Sequence, residues 1–317
     1  MAEDVSGRVL VGNSLAMLEI RRIVRTVARN HSNVLICGES GTGKELVARL
    51  IHLCGPRRDK PFMAVNCSSI AKSLLESELF GHVKGAFTGA VSDTLGYFRA
   101  AEGGTVFLDE VAQIEPDLQA KLLRVLQERE IMPVGSAQTV AVNVRVIAAT
   151  NLDVEEAMSG GQLREDFYYR LNVVSIELPP LRRRHEDLPL LVRHFLAAYA
   201  TEYQTEEMNV HPAVMELFSR HDWPGNVREL ENVIERCYAL EVGPTILPEH
   251  LPVVMRADGR VAGVRGVGPV TTLEEVERRA IVEALAAAGG RRALAAQYLA
   301  IHRNRLARKI SKYGLES

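Results

Sequence analysis

The segment Gly38-Glu39-Ser40-Gly41-Thr42-Gly43-Lys44 lies between the β-branched run NVLIC and the helical pattern KELVARLIHL. Strand, glycine-rich loop and helix in that order are what a phosphate-binding loop requires, and they commit the chain to a parallel α/β sheet. The glycines let backbone N–H groups converge on phosphate oxygens at the positive end of the helix. Lys44 adds a point charge for the β and γ phosphates. Position 45 is Glu where the general motif has Ser or Thr, so the usual hydroxyl ligand for Mg²⁺ is missing. A metal here is held mainly by phosphates, water and a downstream acid.

The rest of the first half agrees with such a sheet. From about residue 33 to 180, NVLIC is followed by PFMAVNC, TVFLDE, VRVIAAT and VVSIEL, with KSLLESELF, DLQAKLLRVLQE and REDFYYRL among the helical patterns between them. Five strands spaced by helices predict a mostly parallel sheet covered on both faces. From Asp187 to about Leu251 the β signal disappears and apolar residues recur every three or four positions, so a helical subdomain follows. Residues 252–270 show no helical period, with glycine and proline gathered near their end, and read as a linker. After Thr271 an amphipathic helix runs to Gly289 and Gly290. Two short helical patterns, RALAAQYL and RNRLARKISKY, then flank the turn Ala300-Ile301-His302. The expected division is 1–180 for the sheet domain, 181–251 for the helical lid, 252–270 for the linker and 271–317 for a small all-α domain.

Composition narrows the class. The 317 residues are 47% hydrophobic and 25% charged, the balance of an ordinary globular protein with enough apolar surface for real cores. No apolar run approaches the ~20 residues of a spanning helix, and MAEDVSGRVLVG has no basic region leading into an apolar stretch. A cytoplasmic protein is expected. Cys37, Cys54, Cys67 and Cys237 show no metal-ligand spacing and read as buried small apolar residues. The formal charge of −2 hides an asymmetry: residues 271–317 hold nine basic and five acidic residues, and no acid falls between Arg291 and Lys312. A basic tail on an acidic body suggests a nucleic-acid contact, with a solvated charged face as the bland alternative.

TVFLDE supplies the downstream acids. Four apolar or β-branched residues make a buried strand, and Asp109 and Glu110 emerge at its C-terminal end. Asp109 suits Mg²⁺ coordination, and Glu110 suits polarising the water that attacks the γ-phosphate of ATP. Two acids facing solvent would be the alternative for an isolated pair. The phosphate loop upstream argues for hydrolysis.

At these residues the chain resembles a known family, the AAA+ bacterial enhancer-binding proteins that activate sigma-54 RNA polymerase. The resemblance spans nearly the whole chain. Its most specific element is GAFTGA, residues Gly85, Ala86, Phe87, Thr88, Gly89 and Ala90. A hexapeptide with flanking glycines and a Phe-Thr tip breaks a helix and exposes an aromatic, whereas a plain turn would tuck Phe87 into the core. The resemblance implies that the hexapeptide is the loop contacting sigma-54, with Phe87 and Thr88 at its tip. It also implies that Asn66 is the switch residue holding Glu110 inactive, and that Asn151, after Thr150, is sensor I. Arg164 and Arg170 in LREDFYYRLNV resemble arginine fingers supplied to a neighbouring subunit's γ-phosphate, so the site is complete only in a ring, a hexamer being expected. Arg228 in WPGNVREL resembles sensor II, and Val11 and Gly12 resemble the adenine-side contact.

The last 45 or so residues resemble the factor-for-inversion-stimulation type of helix-turn-helix. Leu306 and Ile310 point inward at i, i+4, which frees Arg303, Asn304, Arg305, Arg308, Lys309 and Lys312 for double-stranded DNA. Asn304 and Arg305 suit base reading, and Arg308, Lys309 and Lys312 suit phosphate contacts. Ala300 stands where such turns have Gly, and Arg292 and Ala293 replace the polar pair usual at the start of the second helix.

The expected protein is therefore an α/β AAA+ P-loop NTPase with a five-stranded parallel sheet, a helical lid and a small all-α helix-turn-helix domain. It would bind an upstream DNA site, hydrolyse ATP in a ring and remodel the sigma-54 holoenzyme to open promoters. Only about ten residues precede Val11, so control by a regulatory protein acting in trans, or by a sensory domain elsewhere, is expected. Two alternatives are a DNA-occupancy regulator with nucleotide as an allosteric ligand, and an AAA+ remodeller of another kind. The intact hexapeptide and fingers disfavour the first, and the basic C-terminal helices disfavour the second.

Overall fold

The computed structural model describes residues 10–256 and the isolated positions 281, 285, 292, 306, 309, 310 and 313. The chain forms two compact units, Met1–Ala257 and Asp258–Ser317. In chain order the first unit contains α1 (Leu15–Ala28), β1 (Val34–Cys37), α2 (Lys44–Leu53), β2 (Phe62–Asn66), α3 (Lys72–Phe80), α4 (Gly96–Ala100), β3 (Thr105–Asp109), α5 (Pro116–Glu128), β4 (Glu130–Ile131), β5 (Val140–Ala141) and β6 (Arg145–Thr150). There follow α6 (Val154–Ser159), α7 (Glu165–Leu171), β7 (Val174–Glu177), α8 (Leu188–Glu202), β8 (Asn209–Val210), α9 (Pro212–Arg220), α10 (Asn226–Ala239), β9 (Thr245–Ile246) and α11 (Val253–Arg256).

The predicted sheet is present. Five parallel strands lie in the order β2-β3-β6-β1-β7, and β6, in the middle, is buried at every position from Arg145 to Thr150. A strand covered on both faces must be apolar throughout, which is why VRVIAAT carries no alternation. Arg145 is the exception. It is 3% exposed and donates to the carbonyls of Val27, Ala28 and Ser32, satisfying the end of α1. Two apolar layers flank the sheet. On one side Phe80 stacks on Phe98 at 5.7 Å, with Leu79, Val106, Leu108 and Phe167. On the other, Met17, Ile20 and Val24 of α1 pack with Val47, Ile51 and Phe107.

Helix α1 precedes the alternating segments read from the sequence. Ser14 caps it by accepting from the Met17 N–H, and Met17, Ile20, Val24 and Val27 bury one face. The helical lid has its own core around Trp223, Phe218, Leu230 and Ile234, all at most 1% exposed. Three expectations are corrected. The lid is not free of β-structure, because β8 and β9 pair in parallel; strands of two residues are too short to show a period. Residues 253–256 of the expected linker are helical, because Met255 anchors them in the lid core. Cys54 is exposed and Cys37 half-buried, and only Cys67 and Cys237 sit in cores; a helix-capping position such as 54 does not have to face inward. Among the described residues no helix is long and apolar enough to cross a membrane.

Candidate active site

The phosphate loop ends at Gly43, which has φ +103° and precedes α2 without a side-chain cap. A Cβ there would meet nothing within 4 Å, so the junction of loop and α2 is open on that side. Free N–H donors at a helix N-terminus form an anion cradle, and this one fits the phosphates of a nucleotide. Lys44 is 6% exposed, and its Nζ donates to the carbonyls of Gly38 (2.9 Å) and Glu39 (3.3 Å). Thr42 Oγ1 donates to the Glu39 carbonyl at 2.8 Å. Glu45 turns outward and pairs with Arg49 at 2.7 Å, so it does not replace the missing hydroxyl ligand.

Sheet order sets the position of the acids. With β6 between β1 and β3, the ends of three strands converge below the loop. Glu110 follows β3 with φ +56°, a left-handed conformation that costs a non-glycine residue about 1–2 kcal/mol. That turn brings its carboxylate back to the site, with Oε1 3.8 Å from Lys44 Nζ and Oε2 accepting from the Asn151 N–H at 3.3 Å. Burial pushes the Glu110 carboxyl up, against the pull of Lys44. Asp109 is half-buried, accepts from the Glu110 N–H at 3.0 Å, and is likewise raised by burial. Its oxygens are the right donors for a hard cation such as Mg²⁺. Among the described residues no group of three or more His, Cys, Asp or Glu could hold a metal, so Asp109 would need phosphate and water to complete a coordination sphere.

Asn66 pairs in register with Asp109 across β2 and β3 but makes no hydrogen bond to Glu110. Its Oδ1 accepts from the Ser68 N–H (3.0 Å) and hydroxyl (2.7 Å), a local turn. Asn151 is exposed at the end of β6, and Thr150 is buried beside it.

The lid closes over the loop. Val227 and Arg228 donate their N–H groups to the Gly41 carbonyl (3.0 and 3.3 Å), and Arg228 Nη1 reaches Ser40 Oγ at 3.5 Å. A Cβ on Gly41 would come within 2.3 Å of the Gly225 carbonyl, so only glycine permits this approach. Val11 packs against the lid core. Gly12 (φ +139°) lies against Asp187, which is fully buried and accepts from the Ser14 N–H and hydroxyl.

Four residues at this boundary are absent from the sequence-based set: Arg182, Arg184, Asp187 and Asn226. Arg184 is 2% exposed and donates to the Thr42 carbonyl at 3.2 Å; burial lowers its pKa. The signals were the arginine run in LRRRHED and the Asn of WPGN. Arginine is usually exposed, so a run of three does not reveal which one is buried.

Arg164 precedes α7 and is exposed, its guanidinium donating to Asp166 at 3.0 and 2.8 Å. Arg170, also exposed, donates to the Leu126 carbonyl at 3.3 Å. The guanidinium hydrogen bonds of both stay within the α5 and α7 region, away from the phosphate loop of the same chain. The GAFTGA loop follows the end of α3 at Gly81 and is closed by the Gly85 N–H to the Ala90 carbonyl at 2.9 Å. Phe87 is 39% exposed with its edge on His82 (4.9 Å between ring centres), Thr88 and Gly89 are exposed, and Ala90 is buried. Val83 and Gly135 tie the loop to residues 133–135: the Val83 N–H donates to the Val134 carbonyl, and Gly135 abuts Ala86.

In the second unit, Ile281, Leu306 and Ile310 are at most 2% exposed, as the inward-facing pattern predicts. Lys309 is half-buried. Arg303, Asn304, Arg305, Arg308 and Lys312 lie outside the described residues.

A five-stranded parallel sheet, a phosphate loop after β1, two consecutive acids at the end of β3 with β6 between the two strands, and a helical lid define an AAA+ P-loop ATPase. Residues 10–177 match the sigma-54 interaction domain, 182–264 the AAA+ ATPase lid domain and 272–313 the bacterial regulatory proteins of the Fis family. The chain belongs to the sigma-54-interacting transcriptional activators, in which this ATPase is joined to a helix-turn-helix DNA-binding domain. It is 47% identical over 303 residues to the transcriptional regulatory protein ZraR of Salmonella typhimurium, spanning 96% of this chain and 68% of that protein. It is 46% identical over 316 residues to the regulatory protein AtoC of Escherichia coli, spanning 98% of this chain and 68% of that protein. Among solved structures, NtrX of Brucella abortus in complex with ATP is similar with a TM-score of 0.79 and 33% identity, spanning 97% of this chain and 69% of that one. The ADP complex of the same protein is similar at 34% identity with a TM-score of 0.79, spanning 96% of this chain and 69% of that one.

Proposed function

We propose that this ATPase couples ATP hydrolysis to remodelling of the sigma-54 holoenzyme, and that it works as a ring, a hexamer by family resemblance. The observation that carries the reading is a division of parts within one chain. Lys44, Asp109 and Glu110 converge on one space, while Arg164 and Arg170 face away from it and the Phe87–Gly89 tip is exposed. The arginines on the phosphate loop, Arg182, Arg184 and Arg228, all come from the lid side, whereas Arg164 and Arg170 are exposed and bond within the α5 and α7 region; exposed arginines with no contact to their own chain's loop are what subunits arranged head to tail offer one another.

In this reading the loop from Gly38 to Gly43 and the N-terminus of α2 receive the phosphates, Lys44 neutralises β and γ oxygens, and Asp109 would hold Mg²⁺ with phosphate and water. Mg²⁺ supplies charge neutralisation on the transferring phosphoryl group. Glu110 polarises the attacking water, and Asn151 orients it. Arg228 with Ser40 reports the phosphate state to the lid, and Val11 with Gly12 lines the base side. Ala86, Phe87 and Thr88, framed by Gly85, Gly89 and Ala90, carry the stroke to sigma-54. Residues 271–317 hold the ring on DNA, in the cytoplasm, with Arg303, Asn304, Arg305, Arg308, Lys309 and Lys312 as its contacts.

The test is formation of a stable complex with sigma-54 when the protein is trapped with ADP and aluminium fluoride, comparing wild type with Thr88→Ala. A complex lost in the variant supports the coupling. No complex from a protein that assembles and hydrolyses ATP sinks it, and leaves a regulator acting by occupancy of DNA.

A further inference from the structure

The phosphate loop is gripped from the lid at three consecutive residues, and the centre of the grip is a side chain outside the set just described. Asn226 is fully buried and has φ +54°. Its Oδ1 accepts from the Leu181 N–H at 2.8 Å, and its Nδ2 donates to Glu39 Oε2 (3.1 Å) and to the Ser40 carbonyl (3.0 Å). Glu39 also takes Arg182 Nη1 at 2.7 Å, and that guanidinium, with the Asn226 amide, holds its carboxyl down at about 2. An ionised carboxylate only accepts hydrogen bonds, so Glu39 fixes the orientation of the amide, and the amide fixes the path of Glu39 and Ser40. One residue further along, Gly41 receives the Val227 and Arg228 N–H groups.

We propose that the Asn226 amide and the Glu39 carboxylate form a clasp through which the lid sets the shape of the phosphate loop, making Asn226 a positioning residue for the nucleotide. Leu181 and Arg182 open the lid sequence and Asn226 starts α10 well inside it, so a rotation of α10 shifts Glu39 and Ser40 together with Gly41. Those residues precede the N–H groups of the anion cradle directly. The buried position of Asn226 makes the response steep, because an amide displaced from its partners there has no water to replace them. Its left-handed backbone, which Asn tolerates far better than a branched residue, holds the amide at the turn that starts α10. The clasp rests on the assignment of Gly38–Lys44 as the ATP site.

Asn226→Asp tests it, because the substitution keeps the shape and the acceptor for Leu181 but sets a second carboxylate against Glu39. The expected result is a KM for ATP, and a Kd for ADP, raised about tenfold or more, with kcat changed much less. Glu39→Gln combined with Asn226→Asp restores a donor-acceptor pair and is expected to recover most of the affinity. A residue that only stabilised the lid would not show that recovery. Asn226→Gly, which keeps the left-handed backbone and removes the amide, serves if the first variant fails to fold; it is expected to raise KM without recovery by Glu39→Gln. Folded variants with wild-type KM, or a double variant no better than Asn226→Asp, overturn the clasp. Should Lys44→Ala bind ATP like wild type, the site assignment falls and the clasp with it. Weakened binding in Lys44→Ala together with normal binding in both Asn226 variants rejects the clasp alone.

Discussion

Lys44 Nζ stands 3.8 Å from Glu110 Oε1 while donating to the carbonyls of Gly38 and Glu39, so the cation of the phosphate loop and the acid after β3 face one space. Neither is near the other in sequence. Both depend on glycine-like turns, at Gly43 and at Glu110 itself, to face inward. The interaction is loose enough for phosphate oxygens to take over the ammonium and leave the carboxylate to activate water.

Lys44→Ala is expected to weaken nucleotide binding by about 1.5–3 kcal/mol, or roughly ten- to hundredfold, the loss of charge-assisted hydrogen bonds. Titration with a fluorescent nucleotide reads this directly, and unchanged affinity rejects the phosphate-loop assignment.

Glu110→Gln is expected to abolish turnover with nucleotide affinity retained. Burial raises the Glu110 pKa, so folding disfavours its charged form. The sign follows: its contribution to stability is full below the unfolded pKa and is lost as pH rises through the folded one. Glu110→Gln therefore raises Tm more at pH 8 than at pH 5, and in the wild type the acid limb of ATPase activity lies above the usual carboxylate range. A lower Tm for the variant at pH 8 contradicts the burial account.

Arg164→Ala and Arg170→Ala are each expected to cut kcat by as much as about 10³-fold or more, with little change in ATP affinity. Arg164 is exposed, and among the described residues its guanidinium pairs with Asp166 alone, so its variant keeps the wild-type Tm. Mixing variant with wild-type subunits gives activity that departs from a linear average if the fingers act in trans. Linear mixing sinks that role.

Trp223→Ala is expected to destabilise the lid by about 3–5 kcal/mol. The indole is fully buried, contacts Phe218 and His221 edge to face, and donates to the Phe218 carbonyl at 2.8 Å. Its turn also delivers Asn226 to the loop, so nucleotide affinity falls with stability; calorimetry and nucleotide titration on the same sample check both.

Arg305→Ala is expected to weaken binding to a specific DNA site by about 1–3 kcal/mol if Arg305 reads a base. Equal loss on all sequences, measured by anisotropy against specific and random duplexes, assigns it to phosphate instead.

Local chemistry determined much of this protein from the sequence alone. GESGTGK, TVFLDE and the five β-branched runs announce a parallel P-loop sheet because glycine conformations, strand burial and helix N-termini act over a few residues. Leu306 and Ile310 are buried as their i, i+4 spacing requires. Spacing could not report which polar side chains meet across long stretches of chain. Arg184 reached the Thr42 carbonyl from 142 residues away, and Asn226 reached Glu39 from 187. Which partner a buried amide or guanidinium takes is settled by where the lid core, built on Trp223 and Leu230, places the start of α10 against the phosphate loop. That placement arises from tertiary packing and the need to satisfy buried polar groups, so it exists only in the folded chain.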